Sequence, residues 1–137
     1  MRSETRSYET GSREVVLDLT DDCASFAADA SGGGDGLLHV FVPHATAGLA
    51  IIETGAGSDD DLLAALGDLL PADDRWRHRH GSKGHGRSHV MPAFVPPYAT
   101  VPVVSGRLQL GTWQSICLVD LNVDNHDRDV RFSFLAG

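Results

Sequence analysis

The chain has 137 residues, a single domain's length, of which 42% are apolar and 22% charged, the balance of a globular protein. Eleven Lys and Arg against nineteen Asp and Glu give a formal charge of −8, a poor footprint for nucleic-acid phosphates, which need clustered cations. Two cysteines, Cys23 and Cys117, exclude a disulfide framework or a four-thiolate zinc site and read as small buried hydrophobes.

Residues 1–12 are polar, with no apolar core of a secretory signal, and read as loosely ordered. Val15, Leu17 and Leu19 alternate with Val16 and Asp18, a strand pattern. Thr20 then reads as a helix N-cap, with Asp21 and Asp22 favourably placed in the first turn and Gly32-Gly33-Gly34 as the stop. Residues 37–42 form a short apolar run ended by Pro43, and residues 46–54 a second run rich in β-branched side chains. Both are far too short to span a bilayer, so the expectation is a soluble cytoplasmic protein.

A second helix is predicted from Ser58. Asp59, Asp60 and Asp61 fill its first turn, and Leu62, Leu63, Leu66, Leu69 and Leu70 share one face. Residues 73–88 read as a loop, and residues 90–95 are ambiguous between strand and helical turn. Residues 100–104, 107–110, 113–121 and 129–135 read as four strands, with Ser105-Gly106 a tight hairpin turn. Helices early and strands late point to an α+β fold, mainly antiparallel.

Seven histidines invite a metal reading, since neutral imidazole is the commonest protein metal ligand. His78, His80, His85 and His89 share one stretch with Arg75, Arg77, Arg79, Lys83 and Arg87, so an acidic chain gathers cations and imidazoles in one place. His44 follows Pro43 at a strand end, well placed to aim into a cleft. A site built from His44 and two loop histidines is one reading of the spacing. The other is solvated surface, preferred for His80, His85 and His126. His39, in mid-strand, reads as a core or interface residue.

Glu53 ends an apolar strand, where an unpaired carboxylate is costly, and is a candidate general base. Trp113 offers a flat face and Gln114 an amide for a planar heterocycle. Arg107, Arg128 and Arg131 could each hold a phosphate, although taken singly each reads better as a surface arginine. A glycine cluster at residues 32–36 lacks the Lys and Ser/Thr of a phosphate loop, and neither a dinucleotide fingerprint nor a nucleophile elbow is present.

These residues resemble the YjbQ family. His44-Ala45-Thr46-Ala47-Gly48 followed by Glu53 looks like its H-x-T-A-x…E segment. Pro102-Val103 and Ser105-Gly106-Arg107-Leu108-Gln109-Leu110-Gly111-Thr112-Trp113-Gln114 look like its P-V…G-x-L-x-L-G-T-W-Q signature. Arg75-Trp76-Arg77-His78 and Ser88-His89 match its aromatic-x-His and small-His pairs. The resemblance implies a two-sheet, mainly antiparallel β-sandwich with two helices, assembled as a homotrimer. It also implies a histidine pocket near a subunit interface that holds a divalent metal, and secondary thiamine-phosphate synthase activity.

Carried over by position, the site includes His44, His78, His89, Glu53 and Gln114, with the three histidines expected as metal ligands and Glu53 and Gln114 as catalytic residues; Arg107 and Trp113, from their own chemistry, are the expected substrate contacts. The expected metal is zinc, with magnesium an option for a pyrophosphate substrate. The expected reaction joins a pyrimidine pyrophosphate to a thiazole phosphate. The alternatives are a metal-dependent hydrolase or lyase using a metal-bound water, and a trimeric metal- or small-molecule-binding protein without catalysis. The chain departs from the family pattern in the run Glu53 to Asp61, which blurs which aspartate corresponds, and in the Arg/Gly-rich loop between His78 and His89.

Overall fold

A computed structural model describes all 137 residues as two antiparallel sheets with two α-helices. The strands are β1 (Arg2–Glu9), β2 (Val15–Asp18), β3 (Gly36–Phe41), β4 (Ala47–Ile52), β5 (Tyr98–Val104), β6 (Arg107–Leu108), β7 (Ser115–Asp120) and β8 (Asp127–Ala136). The helices are α1 (Thr20–Ser31) and α2 (Ser58–Leu69), and short 3₁₀ turns span His85–His89 and Met91–Ala93. One sheet runs β1-β8-β3-β5-β6 and the other β2-β7-β4. The fold is therefore the α+β sandwich expected from the sequence. No helix is long and apolar enough to cross a membrane.

The period-2 pattern of the strands builds the main core. Leu38 and Val40 of β3, Val101 and Val103 of β5, and Val130, Phe132 and Phe134 of β8 all point inward. They meet Leu49 of β4, Ile116 and Leu118 of β7, and Phe26 and Ala27 of α1. A second core lies on the far face of the small sheet, where Leu66 and Leu70 pack with Met91, Val95, Val119 and Leu121. Strand β7 is thus buried on both faces, which explains its continuous apolar run.

Four local expectations change. The polar N-terminus is not loose: β1 is an eight-residue edge strand paired along its length with β8, from Arg2 opposite Phe134 to Glu9 opposite Asp127. Its pattern is hard to read because its inward residues are amphipathic. The Arg6 guanidinium carbon sits 5.3 Å from the Phe132 ring centre, and Tyr8 packs on the core while donating to Asp22 at 2.6 Å. Thr20 is the first helical residue rather than the cap, and its hydroxyl accepts the Ile116 N–H at 2.9 Å, tying α1 to β7. Ser58 makes no capping bond, since α2 starts from a left-handed Gly57. The ambiguous stretch at 90–95 is the 3₁₀ turn Met91–Ala93.

At the end of β7 a fully buried ion pair joins the sheets: Arg128 donates to Asp120 through Nε at 2.7 Å and Nη2 at 3.0 Å. Thr10 adds a hydroxyl donor to Asp120 at 3.1 Å. Removing one partner strands a buried charge, so Asp120→Ala should lower the unfolding free energy by about 3–5 kcal/mol in urea titrations. Asp74→Ala, which removes the exposed Lys83 contact, should cost less than about 1 kcal/mol. Equal losses in the two variants would contradict this account.

Candidate metal centre

The loop between α2 and the 3₁₀ turn Met91–Ala93 is fixed by its own side chains. The Trp76 indole packs on the second core and donates to the Pro71 carbonyl at 2.8 Å. Arg87, nearly buried, donates to the Leu70 carbonyl at 3.2 Å and pairs with Glu14. Gly86 threads the space these anchors leave: a Cβ there would lie 2.5 Å from both the His78 carbonyl and the Trp76 Cβ.

That folding brings His78, His80, His85 and His89 together, with one ring nitrogen from each lying within 4.8 Å of the others. The ring centres form a closed circuit: 78 to 89 is 3.9 Å, 89 to 85 is 5.0 Å, 85 to 80 is 4.9 Å and 80 to 78 is 4.0 Å. His85 and His89 face one another through Nε2 atoms 3.0 Å apart. Tetrahedral zinc with bonds of about 2.0–2.1 Å needs ligand nitrogens roughly 3.3 Å apart, so this pair lies within a few tenths of an ångström of a coordinating distance. His78 and His89 both have lowered pKa values, first by desolvation and then by the neighbouring imidazoles. Neutral rings are the form that binds a metal.

Beside the cluster lies a cavity of about 290 Å³, lined by His78 and His85 together with Asp73, Asp74, Arg79 and Lys83. Two of the segment's five cations are already engaged, Arg75 by Asp73 at 2.8 Å and Arg87 by Glu14. Lys83 approaches Asp74 only at 3.9 Å, with both side chains largely exposed.

The sequence-predicted residues divide. His78 and His89 meet, and they meet His80 and His85, which read as solvated surface; the His85 side chain is in fact only 8% exposed. His44 stands outside this group, because its Nε2 accepts the backbone N–H of Asp129 at 2.9 Å. Burial and the nearby Arg128 lower its pKa. His126 is exposed, as expected. His39 lies on the outer face of the large sheet, 2.8 Å from the Thr100 hydroxyl.

Glu53 and Gln114 lie elsewhere. Ile52 pairs with Ser115 at the start of β7, whereas Asp120 at its other end leads toward the cluster. At about 3.4 Å per residue those ends are roughly 17 Å apart. Gln114 accepts the Gly111 N–H at 2.8 Å, Trp113 is 72% exposed, and Arg107 sits on β6 in the other sheet. None of these four lines the cavity beside the histidines.

A residue not singled out from the sequence does touch the cluster. Asp124, in the loop after β7, accepts from His85 Nδ1 at 2.8 Å. The bond from the Ser82 backbone N–H is the main cause holding the Asp124 pKa below the usual carboxylate value.

Fold and cluster together define a class: a small α+β sandwich carrying an all-imidazole group beside a polar cavity. The chain matches the family model described as UPF0047 protein YjbQ-like over residues 4–137, and it belongs to that family. It is 58% identical over 137 residues to the UPF0047 protein Rv2556c of Mycobacterium tuberculosis, covering 100% of both chains. It is 32% identical over 118 residues to YugU of Bacillus subtilis, covering 82% of this chain and 84% of that one. Among solved structures it is similar to a YbjQ-like protein of unknown function from Sulfolobus solfataricus, with a TM-score of 0.91 and 25% identity over 99% of this chain and 97% of that one. A hypothetical protein from Aeropyrum pernix gives a TM-score of 0.88 at 30% identity, with both chains covered 100%.

The lowered pKa values set the acid response of the metal-free protein. Between the folded values and the unfolded value of about 6.5, the unfolded chain binds protons that the folded rings refuse, so stability rises with pH there. The contribution is complete above about pH 6.5 and is lost as pH falls through the folded values. A His78→Gln/His89→Gln variant should show a flatter dependence of melting temperature as pH falls below about 6.5 than the parent chain. An unchanged slope would refute this assignment.

Proposed function

We propose that the protein is a transition-metal-dependent enzyme acting on a phosphorylated small molecule, with His78, His80, His85 and His89 holding the metal. The observation that carries this reading is the convergence of four imidazole nitrogens within 4.8 Å beside a cavity that Arg79 and Lys83 also line. An all-nitrogen donor set suits zinc, copper, nickel or iron, and zinc is the expected ion. Magnesium, which takes oxygen ligands, fits poorly, because the cluster contains no carboxylate. When bound, such a metal supplies Lewis-acid stabilisation of developing negative charge. Lys83 and Arg79 would orient the phosphate, Lys83 being only loosely engaged by Asp74.

The reaction proposed first is the joining of a pyrimidine pyrophosphate to a thiazole phosphate, which family resemblance brings forward. A second reading has one observation in its favour. Four protein ligands fill a tetrahedral ion, the signature of a closed, non-catalytic site. Within one chain Glu53 lies at the far end of β7 from the cluster, so the hydrolase reading draws no support from its placement.

Assembly as a homotrimer belongs to the same proposal. Leu37, Phe41 and Leu135 are exposed on the outer face of the large sheet, where they line a groove of about 510 Å³.

The test is thiamine-phosphate formation by the purified protein, with and without chelator, alongside its zinc content. The expected outcome is activity lost on chelation and restored by zinc, in a particle of three times the 14.6 kDa chain. His78→Ala and His89→Ala should abolish zinc binding, whereas His44→Ala and His126→Ala should retain it. Zinc binding without activity would favour the non-catalytic reading, and no zinc binding would end both.

A further inference from the structure

We propose that Asp124 is a positioning residue for the histidine cluster, selecting the ring form in which His85 presents an unprotonated nitrogen to a cation. This inference rests on the metal reading above and extends it beyond the ligands themselves.

The argument runs through one oxygen atom. Asp124 Oδ2 accepts from His85 Nδ1 at 2.8 Å, from the Ser82 backbone N–H at 3.0 Å and from the Ser82 hydroxyl at 3.0 Å. An ionised carboxylate has no proton to give, so the proton on this line belongs to His85 Nδ1. In a neutral ring the other nitrogen, Nε2, then carries a lone pair. That atom is the one facing His89 Nε2 at 3.0 Å. The hydrogen bond between the two rings is therefore donated by His89, along a line that a cation would occupy instead.

Backbone geometry reinforces the side-chain contact. Ser82, held twice by Asp124, accepts the His85 backbone N–H at 3.0 Å, so the carboxylate fixes both the ring and the start of its turn. Asp124 is itself held from behind, its N–H donating to Asn122 Oδ1 at 2.9 Å. The approach has no spare room. A Cβ at Gly81, where φ is +84°, would lie 2.8 Å from Asp124 Oδ2 and 2.9 Å from the His85 ring. Gly81 thus permits the contact, and Gly81→Ala perturbs it without altering any histidine.

Outer carboxylates of this kind fix the tautomer and orientation of metal-binding histidines, and their loss typically costs about 10–100-fold in metal affinity. The experiment is a cobalt(II) titration of the full chain, Asp124→Asn and Gly81→Ala, followed by absorption. It is paired with long-range proton–nitrogen NMR of the His85 ring in the metal-free proteins and with melting temperatures. Expected are a single Nδ1-protonated His85 in the parent chain, a tautomer mixture in Asp124→Asn, and cobalt binding about 10–100-fold weaker in both variants. Asp124→Asn should remain folded, because a neutral amide oxygen still serves Ser82 while holding the His85 Nδ1 proton less strongly than a carboxylate does. A parent His85 protonated on Nε2, or cobalt bound by Asp124→Asn as tightly as by the parent, would overturn the proposal. If the parent bound no cobalt yet showed the Nδ1-protonated ring collapsing in Asp124→Asn, the positioning role would stand and the metal reading would fall.

Discussion

The buried pair of Asp120 and Arg128 is the constraint on which the rest of the molecule depends. It sits where the small sheet's central strand ends and the large sheet's β8 begins, with both side chains almost wholly removed from water. Two charges so placed are tolerable only when hydrogen-bonded, and here the guanidinium and carboxylate meet through two bonds with no fully buried polar side-chain atom left without a partner. From that anchor a chain of short polar links runs outward. Asn122 donates its N–H to Asp120 Oδ1 at 2.8 Å, Asp124 donates to Asn122, and Asp124 receives His85. The loop carrying Asp124 is thereby tied to the buried end of β7, and the histidine loop is hydrogen-bonded to it.

The apolar strands were legible in the sequence because each buries at least one face. The two-faced burial of β7 and the alternation in β3 and β5 leave patterns that composition cannot hide. The edge strand β1 was not legible. Its inward positions are filled by Arg6 and Tyr8, whose polar ends reach Asp22 while their stems and rings cover Phe132 and the core. A period written in amphipathic residues reads as polar noise.

The site was half legible for a related reason. A stretch rich in histidine announces imidazole chemistry, but which rings converge depends on how the loop coils. That coiling is set by Trp76, Arg87 and Gly86, whose contacts join residues distant in the chain. His44 illustrates the limit from the other side. It follows the end of β3, as its place after Pro43 implies, yet the neighbour it meets, the Asp129 N–H, is supplied by a strand more than eighty residues later. Glu53 and Gln114 flank one end of the small sheet through the β4–β7 register, whereas the histidines connect to its other end through Asp120, Asn122 and Asp124.

Chemically, the cluster is a group of four imidazoles inside an acidic chain. Carboxylates surround it without entering it: Asp124 acts on one ring from outside, and Asp73 is occupied by Arg75. A centre of this kind favours a borderline transition-metal ion over a hard, oxygen-seeking one.

The most direct test is anomalous diffraction across the zinc edge from crystals grown without added metal. The account predicts one strong peak per chain, bonded at about 2.0–2.1 Å to nitrogens of His78, His80, His85 and His89. Rings that pack against each other with no anomalous peak, even after soaking in zinc, would contradict it.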